Sequence, residues 1–230
     1  MGNRIHPTAV VGPGVELGDG NVVGPFTVLV GPCRIGDGNW IGPHVTIGTP
    51  AEHRDGPHPA GWDGDSDLAG EGVVIGHRNR VREYVSIHQG THRPTRIGDD
   101  CYLLARSHAG HDVRIDDAVT LACAAQLGGH THVWSHATVG MGALVHQRGR
   151  IGPGAMVAMG AAVRGDVPAF AVSVGDPARV TALNEVGLRR LGCAEPAIEA
   201  VRPVVAGRPP LSDVELPDDV AGLLRLWRET

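Results

Sequence analysis

The sequence predicts an all-β prism of stacked triangular coils, a parallel β-helix, followed by a small α-helical domain. Three observations carry that prediction. A branched aliphatic residue recurs every six positions at Ile5, Val11, Leu17, Val23, Leu29, Ile35, Ile41 and Ile47. The phase resumes at Ile75, Val81 and Ile87, and again at Ile97 and Leu103. It then passes Ala109 and runs unbroken from Ile115 to Val163. After Val163 it dissolves, and the spacing of Leu183, Val186, Leu188 and Leu191 becomes helical. A six-residue period fits neither the 3.6 of a helix nor the 2 of an ordinary strand. It gives one short strand and one turn per hexad, so three hexads close a coil of about 18 residues, and coils stack at the ~4.8 Å spacing of paired strands. Glycine, which follows many of the aliphatic positions, suits corners that need positive φ or close backbone approach.

The prism is expected over residues 1–180, with the register broken at 49–72 and 88–96. The first break, TPAEHRDGPHPAGWDGDSDLAGEG, is polar and rich in Gly, Pro and Asp, and the second is HQGTHRPTR. Both read as loops ejected from the prism, and long loops on a rigid scaffold are where function concentrates. The expectation is that they reach over a neighbouring subunit. Residues 181–230 read as the helical domain. AEPAIEAVRPVV and DDVAGLLRLW follow the first helical stretch, and Val220, Leu223, Leu224 and Trp227 share one face. A core so thin must pack on the prism or on another chain.

Composition narrows the chemistry. The 230 residues carry a net charge of -5 without a basic stripe, which disfavours nucleic acid as a partner. All 20 basic residues are Arg, so lysine mechanisms such as Schiff bases or a phosphate-loop Lys are excluded. No apolar run reaches the ~18 residues of a membrane span, and the N-terminus shows no signal-peptide pattern. Cys33, Cys101, Cys123 and Cys193 lack any C-x-x-C spacing and read as free thiols in a reducing, cytoplasmic compartment.

Counting by 18 places three columns side by side: Gly110, Gly128 and His146; His111, Gly129 and Gln147; Asp112, His130 and Arg148. His108 precedes His111 by three residues. The patch can supply a neutral imidazole as general base, a carboxylate that fixes its tautomer, and an unobstructed glycine N–H for a developing oxyanion. No Ser or Cys has the context of a covalent nucleophile. Direct transfer, with a His activating an acceptor hydroxyl or amine, is the simplest chemistry. His130, His132 and His136 are close in sequence, but they fall in different turn phases and form no evident tetrahedral zinc set. No metal ligand is assigned.

These motifs resemble the acyl-carrier-protein-dependent UDP-N-acetylglucosamine O-acyltransferases of lipid A biosynthesis, over about residues 3–200. RNRVREYVSIHQGT, SHAGHD, LGGH, LVHQ and VGDPARVTALNEVGLRRLG carry the resemblance in order. It implies a left-handed coil and a homotrimer with sites between subunits. It also implies a phosphopantetheine-borne acyl donor and no cofactor beyond that acyl-carrier-protein or coenzyme A co-substrate. By resemblance His111 is the general base, Asp112 orients it, and the Gly129 N–H holds the oxyanion. His108, His130 and His146 line the sugar and acyl pocket, while Gln147, Asn184 and Arg190 touch the sugar nucleotide. Met159 falls where the family measures the acyl tail, and its thioether would shorten the slot. The chain departs from the family at Leu191, where a third basic residue is usual, and at Gln89, where Arg is common. Its 49–72 loop is longer, and Asp67 stands where a Lys is often found. These departures bear on the sugar nucleotide. The rival readings are an N- or O-acyltransferase acting on another nucleotide sugar, a zinc carbonic anhydrase, and an inactive scaffold.

Overall fold

The computed structural model describes residues 2–56 and 70–229; the expectation attached to Asp67 lies outside them. The chain winds into a left-handed parallel β-solenoid of about nine turns, with a small helical part at its C-terminal end. Its three walls are sheets of ten, eight and seven strands. The first runs from Arg4–Ile5 to Arg179–Leu183, the second from Val10–Val11 to Ala162–Val163, and the third from Val15–Leu17 to Arg150–Ile151. Nearly all strand pairs are parallel, and the last, Ala171–Val174 with Arg179–Leu183, is antiparallel.

The hexad register maps directly onto the pairing. Arg4 faces Val22, Val22 faces Trp40, Tyr102 faces Thr120, and Thr120 faces Thr138. Each aliphatic of the repeat points inward and stacks on its equivalent. Leu29, Ile47, Val81, Ile87, Leu121, Leu127, Val133 and Ile151 are all fully buried. Ile5 and Val11, in the first coil of the described residues, are more open, at 42% and 39% exposed. A second inward position, two residues earlier, takes small, valine or amide side chains. There Asn21, Asn39 and Asn79 form a ladder in which each side-chain oxygen accepts the backbone N–H one coil on, ending at Cys101. The ladder satisfies buried polar groups that the prism interior would otherwise leave unpaired.

The corners divide labour in a way the sequence only half predicts. Positive φ falls three residues after the aliphatic, and most residues there are not glycine: Tyr84, Arg106, Asp112, His130 and Arg148 all sit near φ +60°. The glycine immediately after the aliphatic serves close approach instead. A methyl on Gly128 would lie 2.7 Å from the Gln147 backbone nitrogen of the next coil.

The two register breaks behave differently. Between Trp40 and Arg80, which pair directly, lies the long insertion. The second is shorter than its expected bounds. Ser86–His88 and Thr95–Ile97 are both strands, so the loop proper is 89–94. It does not leave the prism; it folds back onto its own chain. Gln89 is buried there, donating to the carbonyls of Gly31 and Gly48.

Among the described residues three α-helices follow the prism: α1 (Glu185–Arg190), α2 (Glu195–Val201) and α3 (Asp218–Arg228). Asn184 caps α1, Pro196 sits in the first turn of α2, and Asp218 and Asp219 begin α3, where a helix N-terminus favours negative charge. Leu188, Ile198, Val201, Val220 and Leu224 pack on Ala169 and Phe170 from the last coil. Leu191 packs partly against the same cluster. The Trp227 ring meets Trp134 edge-on, which ties α3 to the prism wall. The helical part therefore docks on its own prism.

Candidate active site

The site lies on the prism edge between the second and third sheets. His108–Ala109, Gln126–Leu127 and Leu144–Val145 are successive strands of the second sheet, and the turn after each one leads into the third. The columns predicted by counting eighteens stand on those turns. A cleft of about 520 Å³ runs along the edge, and His108, His111, Gly128, Gly129, His146 and Gln147 line it together with Glu52 and Leu144.

At its centre are His111 and Asp112. The positive φ of Asp112 turns its side chain back toward its neighbour, and His111 Nδ1 lies 2.7 Å from Asp112 Oδ2. A carboxylate can only accept, so Nδ1 carries the proton and Nε2 is the basic nitrogen. Asp112 is fully buried and receives four further hydrogen bonds from the 89–94 loop. Oδ2 accepts from the Thr91 N–H at 3.0 Å and the Thr91 hydroxyl at 2.7 Å. Oδ1 accepts from the N–H groups of His92 at 2.8 Å and Arg93 at 3.0 Å. Burial alone would raise its pKa, but the bonds from His111, His92 and Thr91 outweigh burial and hold the carboxyl well below the usual range. It is an anion locked in one orientation.

Gly129 stands against the imidazole. A methyl built there would lie 2.5 Å from His111 Nε2 and 2.7 Å from Cε1, so only glycine leaves the ring its place. The Gly129 N–H donates to no acceptor among the described residues. His130 closes the other side, its ring edge-on to His111 at 4.9 Å and its Nε2 3.9 Å from Asp112 Oδ2. Burial lowers the His130 pKa and favours the neutral ring, although Asp112 opposes that shift.

His108 belongs to a second cluster in the same cleft. Its Nδ1 is 2.8 Å from Ser86 Oγ, and its Nε2 is 3.1 Å from Glu52 Oε2. Burial pushes its pKa down as well, against the pull of Glu52. His132 faces elsewhere: it pairs with Asp116 at 2.9 Å and stacks on Trp134. The thiols of Cys33 and Cys101 are pushed up to about 12 by burial, far from a reactive thiolate.

Asp112, fully buried, and His130 stand beside His111 rather than on the cleft wall, and three further predicted site residues lie away from the cleft. The Asn184 side chain is committed to α1, accepting from the Gly187 N–H and donating to the Gly154 carbonyl. Arg190 is exposed on α1. Met159 projects from the edge between the first and second sheets, 76% exposed. Conversely, sequence reasoning missed Glu52, Ser86, Thr91, His92 and Arg93. Glu52 and the Thr91–Arg93 run sit in the register breaks, where the count of eighteen is lost.

No family model matches the chain. The acyl-[acyl-carrier-protein]--UDP-N-acetylglucosamine O-acyltransferase of Burkholderia orbicola is 39% identical over 133 residues, covering 56% of this chain and 51% of that protein. The chain thus matches about half the length of such curated relatives. Solved structures extend the likeness. The UDP-N-acetylglucosamine acyltransferase of Francisella novicida is 28% identical, with a TM-score of 0.64, over 87% of this chain and 73% of that one. The enzyme of that name from Campylobacter jejuni is 26% identical, with a TM-score of 0.73, over 99% of this chain and 97% of that one. Over more than half of its sequence and nearly all of its fold, this left-handed β-helix is similar to the UDP-N-acetylglucosamine O-acyltransferases.

Proposed function

We propose that the protein is an acyltransferase that moves an acyl group, of the 3-hydroxyacyl class, from acyl carrier protein to a hydroxyl of a UDP-N-acetylglucosamine-like nucleotide sugar. The observation that carries this reading is His111, tied through Nδ1 to a buried carboxylate and presenting Nε2 beside Gly129. Nε2 takes the proton of the acceptor hydroxyl as its oxygen attacks the thioester carbonyl carbon. A carbon–oxygen bond forms, and the carbonyl oxygen becomes an oxyanion that the Gly129 N–H is free to receive. Collapse breaks the carbon–sulfur bond. The imidazolium returns its proton to the leaving thiolate, so base and acid are one residue and no covalent enzyme intermediate is needed. Asp112 acts as a positioning residue, fixing the tautomer and stabilising the imidazolium.

The working form in this reading is a cytoplasmic homotrimer. Leu144 is 53% exposed in the cleft, and Met141 and Met159 are exposed on the neighbouring edge, so a second copy would bury apolar surface along the groove. Such a copy could bring Asn184, Arg190 and Met159 to a cleft that they do not reach within one chain. His130, His146 and Gln147 would then contact the sugar nucleotide and acyl group. The test is mass spectrometry of products from purified protein given a mixed panel of acyl-carrier-protein and coenzyme A thioesters with several nucleotide sugars. An acylated UDP-amino sugar formed from the carrier-protein donor supports the proposal. A product from coenzyme A donors only, or acylation at an amine, would replace the donor or the acceptor named here.

A further inference from the structure

We propose that Glu52, His88 and His108 form a binding site for a divalent transition-metal ion of the zinc class, open to the cleft beside His111. The donor atoms of the three residues all lie within 4.8 Å of one another. His108 Nε2 is 3.1 Å from Glu52 Oε2, and His88 Nε2 is 3.7 Å from Glu52 Oε1. Ligands about 2.0–2.1 Å from a tetrahedral ion stand roughly 3.4 Å apart, between those two spacings.

The hydrogen bonds behind the rings give the cluster its sense. His88 Nδ1 is 2.7 Å from the carbonyl oxygen of Pro50, which can only accept. Nδ1 of His88 is therefore the donor, which leaves Nε2, the nitrogen facing the Glu52 carboxylate, as the one available to an ion. The 3.7 Å between His88 Nε2 and Glu52 Oε1 is too long for a hydrogen bond and leaves room for both atoms to bind one ion. His108 Nδ1 is 2.8 Å from Ser86 Oγ, a hydroxyl that can donate or accept. The hydroxyl can follow His108 from the tautomer that donates from Nε2 to Glu52 to the one that frees Nε2 for a metal. Metal-ligating imidazoles usually have their far nitrogen held by a hydrogen bond in this way. Two imidazoles and one carboxylate suit zinc and its neighbours in the first row, and three protein ligands leave a fourth position facing the cleft.

The other cluster of possible ligands, His111, Asp112 and His130, lacks this character. There the nitrogen facing Asp112 carries a proton, and the carboxylate already accepts five hydrogen bonds. The proposed ion site goes beyond the acyl-transfer reading and stands without it, since its test does not use turnover.

The test is equilibrium titration of the chelator-treated full-length protein with Zn²⁺ in competition with a chromophoric chelator, repeated with Co²⁺ by visible absorption. About one ion per chain is expected, with micromolar or tighter affinity. Glu52→Gln and His88→Gln should each weaken binding at least tenfold, and His130→Gln should leave it unchanged. Circular dichroism checks the fold of each variant. Should His88→Gln fail to fold, Glu52→Gln decides, because the Glu52 side chain is 58% exposed and carries no core packing. Absence of stoichiometric binding, full affinity in Glu52→Gln, or loss of binding in His130→Gln would overturn the proposal.

Discussion

His111 and Asp112 are adjacent in sequence, yet their side chains meet, at 2.7 Å, because Asp112 occupies the left-handed corner of its coil. The same corner places Asp112 under the 89–94 loop, so one carboxylate joins the proposed base to the register break that precedes it.

Thr91 is the first test of the link, since its hydroxyl and its N–H both bind Asp112 Oδ2. Thr91→Val removes one hydrogen bond to an anion, worth about 1.5 kcal/mol, or roughly tenfold in rate if all of it is felt in the transition state. The expected result is a fall in kcat with KM within about twofold, and recovery in Thr91→Ser. A change in KM alone would show that the loop touches substrate rather than positioning the base.

Asp112 also carries stability. Asp112→Asn puts an amide donor among N–H donors and removes a buried anion, which should cost about 2–3 kcal/mol at neutral pH. The native carboxyl titrates below its unfolded value of about 3.9. Its contribution is therefore present above pH 4 and lost as pH falls through the lower native value. Thermal denaturation at several pH values should show the gap between wild type and Asp112→Asn narrowing below pH 4. A gap that is constant with pH would mean that Asp112 is not held as an anion.

Gly129→Ala keeps the backbone N–H but places a methyl 2.5 Å from His111 Nε2. Displacing the ring should lower kcat/KM by roughly 100-fold, on the scale of losing an oxyanion donor. Steady-state kinetics on a variant with unchanged circular dichroism would show it. Full activity would mean that the imidazole works from another position.

Met159 addresses the donor. If a thioether from the prism edge of one copy limits the acyl slot of another, Met159→Gly should shift the preferred donor to longer chains. Acyl-donor profiling that finds the same chain-length optimum in both proteins would remove Met159 from the slot.

Much of this was legible in the sequence, because a coil of fixed length turns counting into geometry. The burial of Leu29, Ile47 and Leu127 and the grouping of His111, Gly129, His146 and Gln147 all follow from multiples of six and eighteen. Glu52 and Thr91 were not legible, since each lies in an insertion that breaks the count. Glu52 meets His108 across 56 positions, and Thr91 meets Asp112 across 21. The corner rule was half read for a different reason: Asp112 and His130 take positive φ without being glycine, because stacking along the edge over-determines the turn. Asn184 shows the reverse case, a residue that the resemblance assigns to the sugar nucleotide and whose side chain caps α1.

The most direct test of the account is turnover by His111→Ala in a folded protein, assayed with carrier-protein donor and UDP-N-acetylglucosamine. Loss of a general base lowers kcat by about 100- to 10,000-fold, and the account predicts a fall in that range. Near-normal turnover would contradict it.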